Sequence, residues 1–168
     1  GSFMLPAAVG CRYNACTFCM LFKHLKYREL PLEQVEAEIL RVKNMGGAPE
    51  TIFLGDGNAF SLPFERLEKI LEMKSSISLL QKRQYQQPQQ ADISEKSDGQ
   101  LKALCELGAR HLYLGIESGL DDVLAFTNKD HTLAQAYEQI ERLQRAGLIF
   151  DAHMMTGIAG KGRGIENA

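Results

Sequence analysis

Three cysteines crowd into nine residues near the amino terminus, Cys11, Cys16 and Cys19 in the string CRYNACTFC. Four residues separate the first pair and two the second, so one short loop can turn three thiolates inward onto a metal ion or an iron–sulfur cluster. Such crowding does not suit a disulfide framework, which spreads its cysteines along the chain and belongs to an oxidising compartment. Three chemistries share the spacing. A zinc knuckle would recruit His24, five residues beyond Cys19, as its fourth ligand. A plant-type [2Fe–2S] centre would need a distant fourth thiolate, which Cys105 could nominally supply. A [4Fe–4S] cluster on three thiolates would leave one iron open, and an open position is what distinguishes a reactive metal site from a structural one. Cys105 lies in DGQLKALCELGAR, where Leu101, Leu104, Cys105 and Gly108 share a helical face; it is expected to pack as a small core hydrophobe.

The elements that must position this loop are legible in the hydrophobic pattern. With 168 residues, 45% apolar and 24% charged, the chain has the length and composition of one globular domain. Apolar or β-branched runs alternate with segments of helical period, separated by Gly, Pro, Asn or Asp clusters. Strands are expected over 3–9, 51–54, within 79–87, over 110–116 and over 150–158. Helices are expected over 32–45, from 63 onward, over 98–107 and over 133–146, the last capped by Thr132 and stopped by Gly147. The third strand is the least defined, because six of residues 81–90 are Gln. Alternation of this kind implies right-handed crossovers and a parallel sheet.

Parallel sheets carry functional loops at the carboxyl ends of their strands. Here the cysteine loop follows strand one, Gly55-Asp56-Gly57-Asn58 strand two, a Gln-Pro-Gln segment strand three, Glu117-Ser118-Gly119 strand four, and residues 157–160 close strand five. Together they form one rim where a cluster and a polar ligand can meet.

Nineteen basic against twenty-one acidic side chains leave a net charge of −2, which supplies no general field for nucleic acid or anionic membrane. No apolar run approaches the ~20 residues of a membrane span. The amino terminus shows no basic region followed by a long apolar stretch, and its Gly-Ser start looks like an expression scar, so a cytoplasmic location is expected.

With its cysteine loop after a first strand and its repeated β/α units, the chain resembles the radical S-adenosylmethionine (radical SAM) superfamily over essentially its whole length, and within it oxygen-independent coproporphyrinogen oxidase-like members. Most members space the cysteines C-x3-C-x2-C; the extra residue in the first gap here occurs in some branches. The resemblance implies an α/β fold, a partial (β/α) barrel with parallel strands that stops after its fifth strand, so that residues 1–168 form a radical SAM core incomplete at its carboxyl end. It implies Cys11, Cys16 and Cys19 as ligands of a [4Fe–4S] cluster whose open iron chelates S-adenosylmethionine. Phe18 matches the aromatic that lies near adenine. Gly55, Asp56 and Gly57, followed by Asn58, resemble the glycine-rich segment that meets the methionyl amino group. Glu117 and Ser118 resemble the strand-four contacts to ribose or methionine, and Gly157 and Ile158 the strand-five segment passing adenine through backbone. The implied activity is reductive cleavage of S-adenosylmethionine to methionine and a 5′-deoxyadenosyl radical, which takes hydrogen from a substrate the sequence does not identify. The implied partner is a low-potential electron donor of flavodoxin or ferredoxin type. An electron carrier that never cleaves S-adenosylmethionine and a zinc-stabilised binding module are the rival readings.

Plainer roles stand beside these. Asp56 and Asn58 suit tight turns on their own account, and Glu117 can cap the turn after strand four. The basic run Lys23, His24, Lys26, Arg28 suits a solvated face or the docking of an acidic partner. His153 alternates toward the inner face of strand five, where a packed core histidine is the ordinary expectation.

Overall fold

The computed structural model describes residues 1–75, 83–86 and 90–167. Six strands form one sheet: β1 (Ser2–Gly10), β2 (Arg28–Glu29), β3 (Thr51–Gly57), β4 (Arg83–Gln86), β5 (His111–Glu117) and β6 (Ile149–Met154), in the order β2-β1-β3-β4-β5-β6. Every pairing is parallel except β1 with β2. Among the described residues, seven α-helices and a 3-10 helix (Ala59–Ser61) accompany them: α1 (Leu32–Asn44), α2 (Phe64–Lys74), α3 (Gln90–Ser94), α4 (Asp98–Glu106), α5 (Asp121–Phe126), α6 (Leu133–Arg145) and α7 (Gly164–Asn167). The five parallel strands fall where the alternation of apolar runs and helical segments places them. The Gln-Pro-Gln segment expected after the third lies outside the described residues.

Three expectations are corrected. The sheet has a sixth strand, β2, too short for any periodicity to reveal. The last strand stops at Met154 rather than 158, because the chain turns there, with Gly157 at φ +81° and Gly160 bonding back to its carbonyl at 3.0 Å. Two short helices, α3 and α5, occupy segments the sequence reading left without one.

Local chemistry explains the element ends. Ser97 and Thr132 each build a reciprocal capping box with the glutamine three residues on, at α4 and α6, worth about 1 kcal/mol per cap. In α1, Glu33 in the first turn and Arg41 and Lys43 in the last oppose the helix dipole.

The core lies between the sheet and its helices. In β5 burial alternates strictly: Leu112, Leu114 and Ile116 face the helices, while His111, Tyr113, Gly115 and Glu117 face the other side. Leu5, Ile52 and Leu54 join them against Val35 and Ile39 of α1, Leu67, Ile70 and Leu71 of α2, Leu101, Leu104 and Cys105 of α4, and Leu143 of α6. Cys105 is buried, its thiol 3.4 Å from the Gly147 carbonyl, and packs as a small core residue.

Candidate active site

The cysteine loop is an excursion from β1 tied down at both ends. Pro6 opposes Gly55, but Gly10 already opposes Gly57, so β1 gains two residues between these pairs and its end bends. Cys11 follows immediately. The loop returns through β2, which pairs Ala8 with Glu29 and Val9 with Arg28, and Leu30 N–H donates to the Ala7 carbonyl at 3.1 Å. The missed strand β2 therefore fixes the exit of the loop whose entry β1 provides.

The turn after α5 holds the middle of the loop. Thr17 N–H donates to the Thr127 carbonyl at 3.0 Å, the Tyr13 hydroxyl to the Asn128 carbonyl at 2.6 Å, and the Asn128 amide to the Ala15 carbonyl at 3.1 Å. Within the loop, Asn14 N–H donates to Cys11 Sγ at 3.3 Å, a bond of the kind that sets cluster potentials. The Asn14 side chain reaches the Phe22 carbonyl at 3.0 Å, and Lys23 Nζ reaches the Asn14 carbonyl at 2.7 Å. Burial pushes the Cys16 thiol up from its ordinary value; nearby Lys129 opposes that rise, and Asp130 and the other two thiols add to it.

A cleft opens above the carboxyl ends of the strands. All three cysteines line it, with Phe18 from the same loop, Gly57 and Asn58 from the end of β3, and Tyr113, Gly115, Glu117, Lys129 and His153. Its cavity volume is about 170 Å³, below the ~300–1,000 Å³ usual for sites that enclose a whole small molecule. Glu117 Oε1 lies 3.8 Å from Lys129 Nζ, with the lysine side chain only 2% exposed. Glu117 adopts φ +70°, and Ser118 N–H closes a tight turn on the Ile116 carbonyl at 2.9 Å. Among the described residues, the non-glycine positions with positive φ are Asn14, Asp56, Glu117 and Asn128. All four sit in the cysteine loop, in the turn that clamps it or at strand ends on this rim, and concentrated backbone strain of this kind marks functional sites.

The sequence-derived candidates divide. Cys11, Cys16, Cys19, Phe18, Gly57, Asn58 and Glu117 share the cleft. Gly55 is buried, with no room for a side chain beside Met4. Asp56 is exposed at φ +64°. Ser118 turns inward, bonding Asn167 Oδ1 at 2.5 Å and accepting from Leu120 N–H at 3.1 Å. Gly157 and Ile158 occupy the turn beyond β6 rather than the cleft wall. Sequence reasoning did not select Lys129, Tyr113 or Gly115. The β5 alternation that placed Glu117 inward also selects Tyr113 and Gly115; nothing local to Lys129 shows that its loop folds back over the cysteines.

These residues suit a cluster with an amino-acid-bearing ligand. Among the described residues no three His, Cys, Asp or Glu side chains stand close enough to grip one ion, yet the three thiols face one cleft. His24 is exposed and does not line the cleft. Asn58 adds a buried amide oxygen with no partner among the described residues, which a ligand hydrogen can satisfy.

A parallel β/α sheet with a three-cysteine loop after its first strand and a cleft at its carboxyl edge defines an α/β protein whose site is carried by the loops at the strand ends. The radical SAM superfamily model matches residues 5–164, and the chain belongs to that superfamily. The chain is 26% identical over 154 residues to the heme chaperone HemW of Bacillus subtilis (strain 168), a match covering 90% of this chain and 40% of that protein. Among solved structures it resembles the cobalamin-dependent S-adenosylmethionine radical enzyme OxsB with aqua-cobalamin and S-adenosylmethionine bound, with TM-score 0.74 and 20% identity over 99% of this chain and 26% of that one. It also resembles the coproporphyrinogen III oxidase HemN of Escherichia coli, with TM-score 0.70 and 14% identity over 92% of this chain and 37% of that one. The chain thus spans about two fifths of the length of that curated relative. Among the described residues no helix is long and apolar enough to cross a membrane.

Proposed function

We propose that the chain is the core of a radical SAM enzyme, with Cys11, Cys16 and Cys19 as the three cluster ligands and the adjoining cleft as the S-adenosylmethionine site. The observation that carries this reading is the meeting of all three thiols with Phe18, Asn58 and Glu117 in one cleft at the carboxyl ends of the strands. Bound there, the cofactors supply one-electron cleavage of the sulfonium S–C5′ bond to methionine and a 5′-deoxyadenosyl radical. The protein's part is to bind, orient and shield. Phe18 offers an aromatic face to a purine. Gly57, having no side chain, lets the ends of β1 and β3 close on each other beside the cleft. Asn58 supplies an acceptor, while Glu117 and Lys129 supply opposite charges that a zwitterionic ligand can engage. Tyr113 and His153, with ring centroids 5.3 Å apart, line the same cleft and suit substrate contact.

Electron supply belongs to the same reading. Met20 and Leu21, immediately after Cys19, are 74% and 68% exposed. Lys23, His24, Lys26 and Arg28 are exposed beside them, with no acidic residue from 20 to 28. An apolar centre within a basic surround suits an acidic low-potential carrier of flavodoxin or ferredoxin type. All four cysteines are free thiols, consistent with a reducing cytoplasmic setting.

The ligand assignment is tested by iron and labile-sulfide content with the visible absorbance of anaerobically reconstituted protein. Cys16→Ala is expected to lose the cluster and Cys105→Ala to keep it. Iron retention that depends on Cys105 would overturn the assignment in favour of a ferredoxin-like site.

A further inference from the structure

The turn that clamps the cysteine loop carries Lys129, Asp130 and His131. Ala15 and Thr17, which flank Cys16 in the chain, are the residues it holds: the Asn128 amide donates to the Ala15 carbonyl at 3.1 Å, and Thr17 N–H donates to the Thr127 carbonyl at 3.0 Å. Lys129 comes next, its own N–H donating to the Leu124 carbonyl of α5 at 2.9 Å. Its side chain is 2% exposed, lines the cleft with Cys11, Cys16 and Cys19, and holds its ammonium 3.8 Å from Glu117 Oε1. Asp130 follows with a side chain 4% exposed and its Oδ1 2.9 Å from His131 Nδ1.

Charges shielded from water act more strongly and at longer range than exposed ones. Cys16 lies within electrostatic reach of both residues, Lys129 favouring its thiolate and Asp130 disfavouring it. The loop's own Lys23 and Lys26 are exposed, so solvent screens them. Adding an electron makes an iron–sulfur centre one charge more negative. A shielded cation beside it therefore favours the reduced form and a shielded anion the oxidised form, and such local charge is one of the factors that set cluster potentials.

We infer that Lys129 sets the reduction potential of the centre held by Cys11, Cys16 and Cys19, its ammonium favouring the reduced state and Asp130 opposing it. The inference rests on the proposed [4Fe–4S] ligation and adds to it a residue that binds no iron and acts through its field. Glu117 shares the Lys129 charge, so the quantity assigned to Lys129 is the change in potential when its charge is removed.

The test is a redox titration of the anaerobically reconstituted protein, followed by electron paramagnetic resonance of the reduced cluster, with no S-adenosylmethionine present, so that cofactor contacts play no part. Lys129→Met, which keeps an unbranched side chain and removes its charge, is expected to lower the midpoint by ~59 mV, a tenfold smaller ratio of reduced to oxidised cluster at a fixed poise. Lys129→Arg should return the wild-type midpoint, and Asp130→Asn should move it to a more positive value. A merely structural role would lower iron content and leave the midpoint of the remaining cluster where it was. An unmoved midpoint in Lys129→Met, or a shift that Lys129→Arg does not restore, would overturn the inference. Should Lys129→Met hold no iron, Asp130→Asn decides: a more positive midpoint supports the inference, and an unmoved or more negative one overturns it. Wild-type protein that gives no [4Fe–4S] signal would instead overturn the ligation on which it rests.

Discussion

The carbonyl oxygen of Gly10 occupies the space that a side chain on Gly57 would need. A β-carbon on residue 57 would overlap that oxygen and stand 2.9 Å from Gly10 N, in a backbone already at φ +141°. The two glycines oppose each other where β1 and β3 reach the cleft, and their contact brings the residue before Cys11 against the residue before Asn58.

Gly57→Ala is therefore expected to part the two strand ends. Strain of this type costs about 1–3 kcal/mol, read as a lower urea midpoint. Because the displaced strand end leads directly into Cys11, iron retention after reconstitution should fall as well. Full retention with unchanged stability would show that the strand ends are not tied in this way.

The clamp from the α5–α6 turn can be loosened separately. Asn128→Gly keeps the left-handed backbone at φ +52° while removing the side-chain bond to the Ala15 carbonyl. Global stability should drop by only about 1 kcal/mol, the usual worth of one hydrogen bond. Loss of iron to a chelator should accelerate severalfold. An unchanged release rate would mean that β1 and β2 alone hold the loop.

What the sequence revealed, and what it hid, follows from the range of the interactions. The cysteine spacing, the period of α6 and its Thr132 cap are local, and each is visible within a few residues. Strand β2 is two residues long and owes its existence to Ala8 and Val9, some twenty positions earlier. Lys129 enters the cleft because Thr127 and Asn128 bond to the cysteine loop more than a hundred residues away. The resemblance of its segment to the family's strand-four region makes Ser118 a candidate ligand contact. Its hydroxyl is instead taken by Asn167, a partner no local pattern announces.

Lys74 gives a stability signature remote from the cleft. It is fully buried, its ammonium 3.5 Å from the Gly108 carbonyl, and burial followed by the nearby charge of Arg110 pushes its pKa down to about 7. An unfolded lysine titrates near ~10.4, so between about 7 and 10 the unfolded chain binds the extra proton. For this group stability is expected to rise with pH across that window, by up to about 1.4 kcal/mol per pH unit. Below pH 7 its protonation penalty is borne in full. Lys74→Met should raise the urea midpoint at pH 7 and flatten the slope between pH 7 and 10. A slope unchanged by the substitution would assign it to other groups.

Glu117 and Lys129 face each other at 3.8 Å in a largely shielded part of the cleft. Glu117→Ala is expected to retain iron and to weaken S-adenosylmethionine binding about tenfold, as for a charge-assisted hydrogen bond lost in a shielded site. Calorimetric titration reads the change directly, and wild-type affinity would remove Glu117 from the cofactor site.

The most direct measurement follows 5′-deoxyadenosine by mass spectrometry after S-adenosylmethionine and dithionite are added to the anaerobically reconstituted chain. Wild-type protein is expected to form it and Cys16→Ala to form none. Protein with an intact [4Fe–4S] cluster and demonstrably bound S-adenosylmethionine that yields no 5′-deoxyadenosine would contradict the proposed radical chemistry and point to an electron carrier instead.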